Sequence, residues 1–282
     1  MNPALPTVVV PALGNAAGLD ACLASLDQTL PAGSAVFVVD DALLPPPVVT
    51  LVRDWCSRSM LSAIYLRGEQ PRSFAACLAA ALAAVGDGDS VLFGTGAVAT
   101  PGWLQQLSRT ADAHPRAATL GTWSNRAELC SFPRFGEHNP APEFPETVSE
   151  AAIGLSGGEL PSLPAATGPC LFLRGAVLRQ MGGIDADTFS GWHALDDFCR
   201  RAAAMGWSNA LCVSVFIVDG GGDDAFAGAS GSDLDRLLAR WPDYQESVAR
   251  FILSDPLRPM RERLQSRITE LERSGPQRDL FN

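Results

Sequence analysis

Long hydrophobic runs are missing from this sequence. No stretch of about 18 or more apolar residues occurs in its 282 residues, so nothing in it has the length of a membrane-spanning helix. Positive charge is scarce: 31 Asp and Glu against 21 Lys and Arg give a net charge of −10, a poor match for nucleic acid. Basic residues are also missing from the N-terminal MNPALPTVVVPALG, which runs straight into a strand pattern. The expectation is a cytoplasmic chain without a signal peptide. No CxxC pair occurs among Cys22, Cys56, Cys77, Cys130, Cys170, Cys199 and Cys212. They read as small core residues in a reducing compartment, not as a disulfide framework or a zinc site.

What is present is a globular composition, 47% apolar and 18% charged, long enough for one large α/β domain or two small ones. Short apolar runs at Thr7–Pro11, Ala35–Val39, Ala63–Leu66 and Ser90–Phe93 read as strands. They alternate with helical patterns at Asn15–Leu26, Val48–Ser57, Ser73–Val85 and Pro101–His114. That alternation predicts a mainly parallel sheet flanked by helices. Residues 122–162, rich in Pro, Gly, Glu and Asn, read largely as a long loop. Order resumes at Cys170–Leu173, with helices from Ala176 and from Ala194 to Met205 and a strand at Ala210–Val218. A glycine-rich loop, residues 220–231, precedes a charged amphipathic tail in which Leu257, Met260, Leu264, Ile268 and Leu271 share a helical face. The division expected is a domain over 1–231 and a helical tail over 232–282.

Open parallel sheets bind ligands at the carboxyl ends of their strands. Here those ends are Pro11, Asp40 and Gly94. The blocks TVVVPALGN, VFVVDDAL and SVLFGTGAVATPGWL, followed by GTWSNRAELCSFPRF, GPCLFLRGAVLRQMGGID and DDFCRRAAAMGWSNALCVSVFIVDGGG, resemble in order and spacing the family 2 glycosyltransferases of GT-A fold. The later blocks are most similar to bacterial transferases that build surface polysaccharides.

The resemblance implies a nucleotide site at Pro11, Asn15, Asp40, Asp41, Gly94 and Gly96, with Asp40 accepting a hydrogen bond from the base. Asp40 and Asp41 also fit a plain turn, which Asp favours. It implies an acceptor side at Trp103, Asn125, Trp192 and Asp196. It also places a metal-holding carboxylate at Gly96, a general base in the pair Ala194–Leu195, and a His at Asp219. Glycine, alanine and leucine offer neither a ligand nor a proton acceptor. Ser73, Phe74, Ala79 and Ala81 likewise replace a Gly-Phe and Asn-x-Gly pattern. The literal DxD, Asp87 to Asp89, precedes its strand and reads as a solvated turn. No strong divalent-metal site or other cofactor is therefore expected. Asp197, His193 and Asp185 remain as candidate bases, although Asp197 also fits a first-turn acid and a lone His is often structural. Three readings follow: a domain with weak or no catalysis that binds nucleotide sugar, glycan or a partner transferase; a metal-independent inverting transferase; and an assembly module docking a second transferase, or a second copy of itself, through its C-terminal helices.

Overall fold

The computed structural model describes residues 5–12, 18–157, 160–221 and 231–274. Asn15 and most of the glycine-rich loop, residues 222–230, lie outside the described residues. Strands β1 (Thr7–Ala12), β2 (Ala35–Asp40), β3 (Ser62–Arg67) and β4 (Ser90–Phe93) pair in parallel in the order β3-β2-β1-β4. Helices α1 (Leu19–Thr29), α2 (Pro46–Arg58) and α3 (Phe74–Val85) connect them. The chain moves outward from β1 to β3, then returns to place β4 on the other side of β1. That reversal opens a crevice at the carboxyl ends of β1 and β4, so Asp40 and Gly96 stand on the same edge of the sheet.

The second half is mixed. After β5 (Ala97–Val98), α4 (Trp103–Ala113), β6 (Ala117–Ser124) and α5 (Pro145–Ile153), strand β7 (Cys170–Leu173) inserts antiparallel between β4 and β6. Helices α6 (Gly175–Met181) and α7 (His193–Ala204) lead to β8 (Ser208–Asp219), which runs parallel to β6 and antiparallel to β5. Helices α8 (Gly231–Arg240), α9 (Tyr244–Ser254) and α10 (Arg258–Ser274) follow. Residues 122–162 are less loop-like than their composition suggests. They hold the end of β6 and a helix, α5, that begins on Pro145, where the fixed φ of proline suits a first turn.

Side chains from α1, α2 and α4, including Leu23, Leu26, Val52 and Leu107, cover one face of the sheet. Those of α3, α6 and α7, including Leu78, Val177, Leu195 and Phe198, cover the other. Each fully buried Leu or Val contributes roughly 1.5–3 kcal/mol. The C-terminal stripe forms a third cluster: Leu257, Met260, Leu264 and Ile268 are buried with Trp123, Val148, Ala151 and Leu155. Arg261 fixes that docking. It is 7% exposed, ion-paired to Asp255, donates to the Ser131 carbonyl and lies over the Phe135 ring. The apolar stripe of the tail is thus covered by the chain itself.

Candidate functional site

The first part of the site lies where β2 and β3 end. Asp40, 1% exposed, takes the Ala42 N–H on Oδ1 at 2.7 Å and an Arg67 guanidinium N–H on Oδ2 at 2.7 Å. The Tyr65 hydroxyl also donates to Oδ2. The Ala42 contact holds that residue at φ 68, a conformation an L residue rarely adopts without such support. Burial, and then the neighbouring Asp40, pushes the Tyr65 hydroxyl up to about 12. Asp41 caps the same turn through the Leu43 N–H. Asp40, Tyr65, Arg67, Arg72 and Cys77 line a pocket of about 270 Å³ beside α3. Asp40 is therefore both a turn cap and part of a pocket wall with guanidinium groups beside it.

The second part is the loop after β4. Its backbone is tied on both sides: Gly94 N–H donates to the Pro169 carbonyl at 2.8 Å, and Gly220 N–H to the Gly96 carbonyl at 2.9 Å. Gly18, at φ +83, lets the start of α1 press on the loop, since a Cβ there would sit 3.2 Å from Gly96 Cα. Asp219, ending β8, reaches the same place. Asn125 grips its backbone twice, accepting its N–H at 2.8 Å and donating to its carbonyl at 3.0 Å. The Asp219 carboxylate takes the Gly221 N–H at 2.9 Å and faces Arg126 at 3.9 Å.

The third part is a cleft of about 340 Å³ lined by Arg126, Glu128, His138, Trp192, His193, Asp196, Asp219 and Tyr244, among others. His193 Nδ1 and Asp196 Oδ2 are 2.9 Å apart on the first turn of α7. The hydrogen bond that Asp196 accepts from it raises His193 above the ordinary histidine value. Burial pushes the Asp196 carboxyl up, against the hydrogen bonds it receives from His193, Tyr244 and the Ala166 N–H. Because Asp219 lines this cleft and also faces Gly96, the two halves of the crevice meet at that residue.

The structure does not bring all the sequence candidates together. Asp197 is fully buried away from the cleft, bound by Arg201 at 2.7 Å, Arg240 at 2.9 Å and the Trp241 Nε1–H at 3.0 Å. Asp185 caps the Thr188 N–H and pairs with Arg240 at 2.8 Å. Asp197 ties α7 to α8, and Asp185 ties the segment between α6 and α7 to α8. Trp103, expected on the acceptor side, is 1% exposed, and its ring packs tilted against Phe93 with centroids 4.9 Å apart. Pro11 is buried inside β1, opposite Val39. Asn125 acts through Asp219, whereas Trp192, His193 and Asp196 line the cleft itself. Ala194 and Leu195 are fully buried and belong to the core. Asp87 and Asp89 lie at the opposite end of β4, where Asp89 accepts the Gly175 N–H at 2.8 Å. Arg126, Glu128, His138 and Tyr244 were not singled out from sequence. They fall on three stretches of chain, Arg126 with Glu128, then His138, then Tyr244, with no motif spacing to connect them.

This architecture is the GT-A fold of glycosyltransferases. A mannosyltransferase from Pyrobaculum calidifontis, solved with GDP-Man and Mn²⁺, superposes at TM-score 0.60 with 17% identity, over 96% of this chain and 75% of its own. GalNAc-T7, solved with UDP, GalNAc and Mn²⁺, gives 0.64 with 9% identity, over 97% and 57%. S. aureus TarS 1–349 gives 0.55 with 12% identity, over 96% and 91%. No protein-family model and no curated protein matches the sequence.

A divalent cation beside the β4 loop would need several oxygen ligands. Gly96 supplies none from a side chain, and the Asp219 carboxylate already holds the Gly221 N–H. Among the described residues, no group of three or more His, Cys, Asp or Glu is placed to hold a metal ion. Asp219 is then the acidic side chain that faces Gly96.

Proposed function

We propose that this chain binds a nucleotide sugar in the crevice at the carboxyl ends of β1, β2 and β4, and that it transfers the sugar weakly or not at all. The observation that carries this reading is the contrast between the two ends of the site. The β2–β3 end keeps a buried carboxylate in a pocket with two guanidinium groups, Arg67 and Arg72. The β4 end has Gly96 enclosed by backbone, and the pair Ala194–Leu195 lies in the core. Such a crevice suits a nucleoside on one side and an anionic diphosphate held by arginine near Arg126 on the other. Metal stabilisation of the leaving group would be missing. The resemblance to surface-polysaccharide transferases makes a glycan the natural acceptor or co-ligand, in a process that assembles a polymer.

Calorimetric titration of the chain with UDP, GDP and their sugar conjugates tests this, with Asp40→Asn as the control. Binding to at least one nucleotide, weakened by Asp40→Asn, is the expected result. No binding to any of them would remove the reading.

A second reading, a metal-independent inverting transferase, is favoured by the His193–Asp196 pair in the cleft wall.

A further inference from the structure

Two buried carboxylates brace the entry to α7. Asp233 on α8 is buried, and its Oδ2 takes the N–H groups of Ser190 and Gly191, each at 2.8 Å, and the Ser190 hydroxyl at 2.9 Å. Burial opposes the Asp233 charge, yet those donors together with Arg236 hold its carboxyl below the ordinary value. The backbone leading into Trp192 and His193 is thereby pinned by an ionised group. One turn on, Asp196 is 2% exposed and holds His193 Nδ1. Tyr244 on α9 and the Ala166 N–H hold Asp196 in turn. With Nδ1 engaged, Nε2 is the nitrogen that a ligand in the cleft would meet. Asp233, Glu128, His138, Arg126 and Asp219 are the other charged or titratable groups around it.

We propose that His193 is the proton acceptor for a hydroxyl group presented in this cleft, with Asp196 as its positioning residue; the proposal rests on the crevice being a nucleotide-sugar site. In the step, the hydroxyl oxygen bonds to the anomeric carbon of the sugar while its proton passes to His193 Nε2. The bond from that carbon to the diphosphate oxygen breaks, and the nucleoside diphosphate leaves with the electron pair. Nδ1–H of the imidazolium remains on Asp196, and Nε2–H is later released to water. A histidine–carboxylate pair performs this role in general acid–base chemistry because the carboxylate fixes the tautomer and stabilises the cation. The acidic position expected from the family resemblance, Leu195, is replaced from the same helical turn.

The test uses water as the smallest hydroxyl acceptor. UDP-GlcNAc and GDP-mannose are each incubated with the full chain, and release of UDP or GDP is followed as a function of pH, with nucleotide affinity measured in parallel by calorimetry. Slow release that rises with pH through the His193 titration is expected. His193→Gln should lower it about 10²-fold or more with nucleotide affinity retained. Asp196→Asn removes the contact that raises His193, so the acid limb of the profile should move to lower pH, a change that a purely structural role would not produce. Release unaffected by His193→Gln, or no release from a chain that binds the nucleotide, overturns the proposal and leaves the binding reading standing. Absence of nucleotide binding overturns both.

Discussion

A Cβ placed on Gly96 would lie 3.4 Å from Asp219 Oδ1 and 3.1 Å from the Gly221 carbonyl oxygen. The position that lacks a carboxylate therefore faces one that β8 provides. Gly96→Asp would bring two carboxylates together, with a few tenths of an ångström of movement in the Gly221 backbone. We expect the variant to bind Mn²⁺ about tenfold or more tightly than the unmodified chain, and the unmodified chain to bind it weakly in calorimetry. Sub-micromolar Mn²⁺ affinity in the unmodified chain would show that its own side chains already make a cation site.

Leu195→Glu should fail as a repair. Leu195 is fully buried with Phe198, Cys199 and Leu237, so a carboxylate there loses its water without a partner. A loss of about 3–5 kcal/mol of stability in denaturant titration is expected, with no gain in sugar transfer. A stable variant with new turnover would show that residue 195 reaches the cleft.

Asp87→Asn with Asp89→Asn should leave nucleotide affinity unchanged, because both residues lie at the amino end of β4. Asn still accepts the Gly175 N–H, and the lost pairs with Arg179 and Arg174 are half-exposed or distant. A fall in Tm of about 2–4 °C or less is expected. Lost nucleotide binding in a folded double variant would place the site at the wrong end of the sheet.

The pairing of His193 with Asp196 should make stability depend on pH. Its folded-state pKa lies above the ordinary 6.5 because Asp196 accepts its hydrogen bond. Its contribution is fully present below that value and is lost as pH rises through the raised one. The stability difference between the unmodified chain and His193→Gln should therefore shrink across that interval. A difference that grows with pH would mean that His193 is neutral in the folded protein.

The first four strands were legible because short apolar runs alternate there with helical patterns, and Ser73 caps α3 by accepting the Ala76 N–H at 3.2 Å. Strand β6 was not. AATLGTWS breaks its apolar run with Thr119, Gly121 and Thr122, and is buried throughout because β7 and β8 flank it, an environment that only the assembled sheet provides. Helix α5 was hidden by the proline and glycine around it. At the site, Asp40 could be placed from its strand end. The pairing of His193 with Asp196 follows only from the helix that begins at His193, and the support of Tyr244 arrives from a helix beyond the glycine-rich loop.

The most direct test is calorimetry of UDP and GDP in EDTA and again with saturating Mn²⁺, on the unmodified chain and on Asp40→Asn. The account predicts that one nucleotide binds with affinity that differs by no more than about threefold between the two conditions, and that Asp40→Asn weakens it about tenfold or more. Binding that appears only with Mn²⁺, or that ignores Asp40→Asn, would contradict it.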